Sequence, residues 1–236
     1  MAYQAVFKRY ELKYMLTKAQ KEAILQVMEP YMALDQYGRT TIRNIYFDTD
    51  NYRLIRRSIE KPAYKEKLRI RSYRKTEKKD KVFVELKKKY DGVVYKRRVS
   101  MPLQAAMDWI CNGTGVPDSQ IGREVEYFRN FYQGLRPAVY LSYEREAFYS
   151  KDGSDFRVTF DDHIYARQDR LSLLEEPGGQ ALLPEGMVLM EVKTSGAIPL
   201  WMVEHLTQNR IFKTSFSKYG TAYQTMIFDK GAYIHA

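Results

Sequence analysis

The chain has 236 residues, with 39 Lys and Arg against 29 Asp and Glu and a net charge of +10. This excess of basic residues favours a polyanionic partner, which could be nucleic acid, an anionic membrane or a phosphorylated ligand. No apolar run approaches the roughly 18 residues of a membrane span, and no signal-peptide core follows the N-terminus, so we expect a cytoplasmic protein. Glycine-rich phosphate loops are missing from the sequence, and three scattered histidines are too few for an imidazole metal site. Any phosphate ligand must therefore be held by side chains.

The predicted elements alternate between short helices and longer strands. Helices are predicted after the capping box that begins at Thr17, after Pro102, over residues 121–132 and after Pro199. Asp91-Gly92 predicts a tight hairpin turn. The strands are predicted, in chain order, at Ala5–Tyr14, Thr41–Phe47, Tyr64–Tyr73, Lys81–Lys89, Val93–Met101, Ala138–Tyr149, Phe156–Ile164 and Met187–Thr194. We therefore predict an α+β fold, an eight-stranded antiparallel closed β-barrel flanked by several helices, in a single domain over residues 1–236.

Charged side chains recur with the period of a strand. Residues i, i+2 and i+4 share one face of a strand. Such faces carry Lys65, Lys67, Arg69 and Arg71; Glu85, Lys87 and Lys89; Arg9, Glu11 and Lys13; Tyr143 and Arg145; Arg157, Thr159 and Asp161; and Glu191 and Lys193. The alternative interpretation is that these charges lie on the solvent-exposed face of an ordinary antiparallel sheet. Because four cations on one strand face repel each other unless an anion lies among them, we favour a charged barrel interior with a highly charged ligand.

Phosphoanhydride chemistry suits such an interior. Phosphoryl transfer requires positioned cations on the non-bridging oxygens and a divalent metal ion, with little covalent work by the protein. Arginine supplies planar, bidentate phosphate contacts and lysine a point charge. A few carboxylates among these cations are the oxygen donors that Mg²⁺ or Mn²⁺ prefers.

Eight short motifs, in order over nearly the whole chain, resemble the VTC domain, the catalytic domain of the vacuolar transporter chaperone complex within the triphosphate tunnel metalloenzymes. They are Arg9-x-Glu11-x-Lys13-Tyr14, Leu68–Tyr73, Val84–Lys87, Val94–Arg98, Tyr143–Arg145, Arg157–Asp161, Met190–Lys193 and Ser215–Tyr219. The resemblance implies a tunnel of eight antiparallel strands, Mn²⁺ or Mg²⁺ as cofactor, and synthesis of polyphosphate from ATP. One departure is Arg9, which stands where the related hydrolytic proteins begin an E-x-E-x-K motif with glutamate.

The strand faces and the resemblance together give a set of candidate site residues. The expected catalytic cations are Arg69, Arg71, Lys87, Arg145 and Arg157. The expected phosphate-binding residues are Lys13, Lys65, Lys67, Tyr143, Lys193, Ser217 and Lys218. The expected metal ligands are Glu191, Glu11 and Glu85.

Two alternatives to a polymerase remain open. A triphosphate hydrolase would need a carboxylate to orient water, for which Glu11 and Glu85 are candidates. A non-catalytic module could bind RNA or another polyanion through basic runs and tyrosines, although no sequence-specific nucleic-acid contact is expected. A membrane partner is compatible with the sequence. The runs Lys96–Arg98 and Arg74–Lys81 are interpreted as solvated decoration, and Cys111 as a buried structural thiol.

Overall fold

The computed structural model describes residues 10–228, in which one antiparallel sheet contains all the strands. They are β1 (Tyr10–Thr17), β2 (Met32–Leu34), β3 (Thr40–Asp48), β4 (Tyr64–Ser72), β5 (Lys81–Tyr90), β6 (Val93–Pro102), β7 (Arg136–Ser150), β8 (Arg157–Arg167), β9 (Gln180–Ala181) and β10 (Met187–Thr194). The order across the sheet is β1-β10-β8-β7-β3-β4-β5-β6, with β2 beside β7 and β9 beside β8.

The eight predicted strands are all present, with ends that differ from the prediction by at most three residues where they can be compared. The first predicted strand begins at Ala5, outside the described residues, and its described part runs on to Thr17. The predicted hairpin turn is confirmed, because Asp91 and Gly92 join β5 to β6 with φ angles of 44° and 81°. Both are left-handed, as a two-residue turn of this kind requires. The short strands β2 and β9 were not predicted.

The helices lie mainly on the outside of the curved sheet. They are α1 (Lys18–Met28), α2 (Arg53–Ile59), α3 (Leu103–Asn112), α4 (Gln120–Tyr132), α5 (Leu200–Gln208) and α6 (Lys218–Tyr223), the last followed by a π-helical turn, Gln224–Phe228. The predicted capping box is confirmed, since Thr17 and Gln20 exchange hydrogen bonds at the start of α1. The prediction for Cys111 is wrong, because its side chain is exposed on α3. Over residues 10–228, every helix is too short or too polar to cross a lipid bilayer.

The sheet curves strongly but does not close, so the prediction of a closed barrel is wrong. In the described part of the chain, β1 and β6 end the strand order and do not pair with each other. The sheet instead meets itself through side chains: Lys87 Nζ of β5 lies 2.8 Å from Glu11 Oε2 of β1. Charged side chains on edge strands are a common feature that keeps backbones from pairing. We call the inner face, to which Glu11 and Lys87 point, the concave face.

Three apolar clusters hold this architecture together. On the convex face of β4–β6, Val84 and Leu86 pack with Trp109 of α3 and Val125 of α4. The convex face of β1, β8 and β10 packs against α1 and α5. The third cluster places apolar side chains of α6 and the π-helical turn against the concave side of β3 and β7, for example Tyr219 on Tyr46 with ring centroids 4.8 Å apart. The remainder of the concave face is left to charged groups.

Candidate functional site

The predicted row of cations on β4 lies on the concave face. The register pairs Arg69 with Tyr46 of β3 and with Glu85 of β5, and it pairs Lys67 with Lys87. Lys67 Nζ donates to Ser217 Oγ, at the start of α6, over 2.9 Å. Burial and the neighbouring charges of Lys13, Lys87, Lys65 and Arg69 lower the pKa of Lys67 to about 7. The alternating cations of β4 therefore point to the concave face and not to a solvent-exposed outer face.

Glu85 is the centre of a first ionic cluster. Its carboxylate accepts hydrogen bonds from Arg69 Nε and Nη2 at 2.8 and 2.7 Å, and Lys96 Nζ lies 2.6 Å from the other oxygen. Arg71 Nε is 3.8 Å away. Burial alone would raise the pKa of Glu85, but the charges of Arg71, Arg69 and Lys96 outweigh it and hold that pKa well below its usual range. Glu85 is thus a fixed anion that orients Arg69 and lies close to Arg71.

Arg71 is held mainly by neutral groups. Its Nε donates to Asn44 Oδ1 and its Nη2 to Tyr143 Oη, both over 2.9 Å, and the side chain is buried. Arg69 makes a similar bond from Nη1 to Tyr46 Oη. Neutral acceptors orient a guanidinium without cancelling its charge, so Arg71 keeps a positive charge available to a ligand.

A second ionic cluster joins β7, β8, β10 and α6. Arg145 donates two bonds of 2.6 Å to the carboxylate oxygens of Asp161. Lys218 Nζ lies 2.6 Å from Asp161 and 2.9 Å from Glu191. Burial would raise the pKa of Asp161 and that of Glu191, but Arg145 and Lys218 outweigh it and lower both. The bidentate pair and the buried lysine make this cluster rigid.

Glu191 also links this cluster to the seam between β1 and β5. Its carboxylate lies 3.2 Å from Lys193 Nζ and 3.7 Å from Lys13 Nζ. Lys13 Nζ is in turn 3.6 Å from Glu11, whose other oxygen meets Lys87. Burial would lower the pKa of Lys87, yet the Glu11 carboxylate raises it. The ion pairs therefore run without a break from β5 across the concave face to α6.

Most of the predicted residues come together in this network. Among the predicted residues, the contacts above join Arg69, Arg71, Lys87, Arg145, Lys13, Lys67, Tyr143, Lys193, Ser217, Lys218, Glu191, Glu11 and Glu85. Two lie at its margin. Lys65 donates to the backbone oxygen of Ser58, and Arg157 is exposed at the start of β8, on the same face as Lys193. Arg9 lies outside the described residues.

Four functional side chains were missed by sequence reasoning: Asp161, Lys96, Asn44 and Tyr46. Asp161 shares a strand face with Arg157 and Lys96 continues the alternation of β6, so both carried a usable signal. The interpretation of Lys96 as solvated decoration is partly right, because its side chain is 40% exposed on the edge strand β6, but its Nζ also contacts buried Glu85. In the same run Arg97 points to the other face and meets Glu124 at 3.0 Å. Asn44 and Tyr46 lie in a strand without the alternating charges of β4 and gave no signal.

The carboxylates of the concave face do not form a metal site by themselves. In residues 10–228, no group of three His, Cys, Asp or Glu side chains is arranged to hold a metal ion. Glu11 and Glu191 lie on either side of Lys13, whereas Glu85 is enclosed by Arg69 and Lys96. This donor set fits Mg²⁺ or Mn²⁺ only where phosphate oxygens complete the coordination, the usual arrangement for Mg²⁺ in phosphoryl-transfer sites.

Comparison with solved structures shows the same fold in distant proteins. A proposed adenylate cyclase from Bacillus halodurans superposes with a TM-score of 0.58 at 14% identity, covering 95% of this chain and 100% of that one. A proposed adenylyl cyclase from Hippeastrum, described as having a dominant triphosphatase activity, superposes with a TM-score of 0.56 at 15% identity, covering 93% and 96%. At these identities the likeness concerns the fold alone.

Sequence comparison identifies the family. No curated protein matches the sequence significantly. The profile of the VTC domain, however, matches residues 8–227, which contain both ionic clusters and the row of cations on β4. The chain therefore belongs to the VTC domain family.

Proposed function

We propose that this protein is an ATP-dependent polyphosphate polymerase that works on the concave face. The observation that carries the proposal is the surplus of positive charge there: Lys67 meets a serine hydroxyl, and Arg71 meets an amide and a phenol, with no carboxylate within 3.5 Å of either among the described residues. Buried cations of this kind are costly unless an anion binds among them. A chain of linked phosphates is an anion that can reach all of them at once.

The reaction transfers the γ-phosphoryl group of ATP to the end of a polyphosphate. An oxygen of the terminal phosphate attacks the γ-phosphorus, the bond from the γ-phosphorus to the β–γ bridging oxygen breaks, and ADP leaves with that oxygen. The attacking phosphate is already ionised, so the step needs no general base. Cations hold all four carboxylates, Glu11, Glu85, Asp161 and Glu191. This supports phosphoryl transfer to polyphosphate rather than hydrolysis, which would need a carboxylate to activate water.

The proposed roles of the side chains follow from their places. Arg69 and Arg71 are two residues apart on one strand face, about 7 Å, and can meet neighbouring phosphates near the transferring group. Arg145, oriented by Asp161, faces them from β7. We propose that the rest of the chain is bound by Lys13, Lys65, Lys67, Lys87, Lys193, Lys218, Tyr143 and Ser217, with Arg157 at the margin.

A divalent ion would be held by Glu191 together with Glu11 and the phosphates of the ligand. When bound, it would neutralise charge on the β- and γ-phosphate oxygens. We assign Glu85 to the positioning of Arg69 and Arg71, because its oxygens are already engaged by cations. The cytoplasmic location and a membrane partner remain predictions.

A triphosphatase is the second candidate function. It is favoured by the structural likeness to the Hippeastrum protein, whose described activity is that of a triphosphatase. In that case Glu11 would have to release Lys87 in order to orient water. A non-catalytic polyanion-binding module is the third candidate, and it would use the same cations without turnover.

Product analysis separates the three. Purified protein is incubated with ATP and Mn²⁺ or Mg²⁺, and the products are sized on a gel and assayed for orthophosphate, with Arg71→Ala as the control. Long polyphosphate with ADP is the expected result. Orthophosphate without polymer would identify a triphosphatase, and no metal-dependent turnover would leave the binding module.

A further inference from the structure

A second buried polar cluster lies on the opposite, convex face of the sheet. Arg43 of β3 is paired with Ser72 of β4 on one side and with Ser142 of β7 on the other. In the next strand, Arg167 of β8 pairs with Tyr140, and its guanidinium carbon lies 3.8 Å from the centre of the tyrosine ring. The five side chains form what we call the convex site, which none of the roles described above uses.

The convex site contains buried hydrogen-bond donors that lack a well-formed acceptor among residues 10–228. Arg43 and Arg167 are 5% and 3% exposed, and Ser72 and Ser142 are each 1% exposed. Arg43 Nε and Nη1, Arg167 Nη2 and both serine hydroxyls make no hydrogen bond of good geometry, and the neighbour of Arg43 and Ser142 is the Tyr140 hydroxyl, which is itself without a well-formed bond. The other nitrogens of Arg167 donate to the backbone oxygens of Arg170, Glu176 and Gly178 and so hold the covering loop in place. Buried donors normally have partners, so this many in one place points to a ligand.

The positive charge of the convex site is also only partly compensated. Its nearest carboxylate in the described residues is Glu176, 3.5 Å from Arg43 Nη2 and also 2.5 Å from Lys75. Glu176 is two-thirds exposed, so it reaches Arg43 from the surface. Arg43 thus shares one exposed carboxylate with a lysine, and Arg167 has no carboxylate within 4 Å among the described residues. An anion that replaced Glu176 beside Arg43 would supply the missing charge.

We propose that the convex site binds a tetrahedral oxyanion, inorganic phosphate. The free donors come from four strands and include guanidinium nitrogens and hydroxyls, the usual partners of phosphate oxygens. A carboxylate ligand would offer only two oxygens to them. This proposal does not depend on the reaction proposed for the concave face.

The convex site lies directly behind the bonds that hold Arg71. Alternation along three strands places Arg43 next to Asn44, Ser72 next to Arg71, and Ser142 next to Tyr143. A phosphate bound on the convex side therefore restrains the same backbone positions that orient Arg71 on the concave side. Binding at one face is therefore expected to affect binding at the other.

The test is a titration of the full chain with inorganic phosphate. Binding is monitored through the ¹H–¹⁵N NMR resonances of the arginine Nε–H groups, and sodium chloride at matched ionic strength is the reference. The resonances of Arg43 and Arg167 are expected to shift and saturate, and to do so equally in a Lys87→Ala variant that weakens the concave face. No shift beyond the chloride reference would mean that water alone fills the site and would overturn the proposal. A shift that disappears in Lys87→Ala would also overturn it, because the signal would then originate on the concave face.

Variants give an independent measurement. In Arg43→Gln the phosphate concentration at half-saturation should rise roughly ten- to a hundred-fold, the scale of a lost charged hydrogen bond. The matched control is Arg39→Gln, an exposed arginine just before β3 that pairs with Asp162. Ser142→Ala should fold normally, because the buried hydroxyl it removes makes no hydrogen bond of good geometry among the described residues, and it should also weaken phosphate binding. Unchanged binding in both Arg43→Gln and Ser142→Ala would refute the site.

Discussion

Lys67 gives the sharpest test of the charge surplus on the concave face. Within residues 10–228 its ammonium has one hydrogen-bond partner, Ser217 Oγ, and lies among Lys13, Lys65, Lys87 and Arg69. Lys67→Met keeps the length of the side chain and removes the charge. If the repulsion is real, this change should stabilise the ligand-free protein while it weakens the binding of tripolyphosphate.

The size and sign of the effect depend on pH. The pKa of Lys67 falls from 10.5 to about 7 on folding, so between these values the unfolded chain holds the proton more tightly than the native one. The native state is therefore penalised in full below pH 7, and the penalty fades as pH rises towards 10.5. At about 1.36 kcal/mol per pKa unit the penalty approaches 5 kcal/mol, an upper limit because water still reaches part of this side chain.

Urea unfolding of the wild type and of Lys67→Met at pH 6, 8 and 10 measures this effect. We expect the variant to be more stable at pH 6 by a few kcal/mol, with a gain that shrinks steadily towards pH 10. The control is Lys88→Met, on the other face of β5, which loses a 3.9 Å contact with Glu66 and should not gain stability at pH 6. A gain that is the same at all three pH values, or a loss at pH 6, would refute the assignment of Lys67 to a repulsive cluster.

Three further predictions concern single positions. Arg71→Ala should lower kcat on the order of 10²-fold or more, and Arg71→Lys should not restore it fully because the planar fork is lost; activity that only follows the melting temperature would contradict a phosphate contact. Glu191→Gln should abolish metal-dependent turnover across a metal titration, and normal turnover at ordinary metal concentrations would disprove the metal role. It should also lower the unfolding free energy by about 1.5–3 kcal/mol, because Lys218, Lys193 and Lys13 lose a shared carboxylate while Lys218 keeps Asp161. Gly92→Ala should cost about 1 kcal/mol in unfolding free energy, because φ is 81° there, and should leave specific activity unchanged.

The strands and their inward charges could be predicted because a strand has a period of two. On β4 that period is unbroken from Lys65 to Arg71, so one observation gave both the element and the face. The same alternation on β5 and β10 brought Lys87 and Glu191 to the concave face. Local pattern was sufficient here because the helices on the convex face require the intervening apolar positions.

Other features depend on contacts between distant parts of the chain. Whether β1 pairs with β6 is decided by the curvature of the whole sheet, which no single strand encodes. Helix α2 follows Tyr52, a left-handed N-cap residue whose own side chain makes no capping bond. Its first N–H groups donate instead to Thr49 and Asp48, four to seven residues upstream, a spacing that no standard capping pattern indicates. Glu85 was assigned to a metal because the sequence shows a carboxylate among cations but not the 2.6–2.8 Å contacts that already engage it.

The pairing of the carboxylates supports the proposal that the concave face binds a long anion in preference to a short one. Glu85 and Asp161 each fix a guanidinium, Arg69 and Arg145, and so build two rigid points for a transferring phosphoryl group. The cations between and beyond those points are compensated less. From Lys65 to Arg71 alone the row extends about 20 Å along β4, which exceeds the length of three linked phosphates. We expect a triphosphate to satisfy only part of this row, whereas each phosphate added to a chain would reach a further cation until the row ends. Binding energy that grows with chain length is what a polymerase needs in order to hold its product for the next transfer.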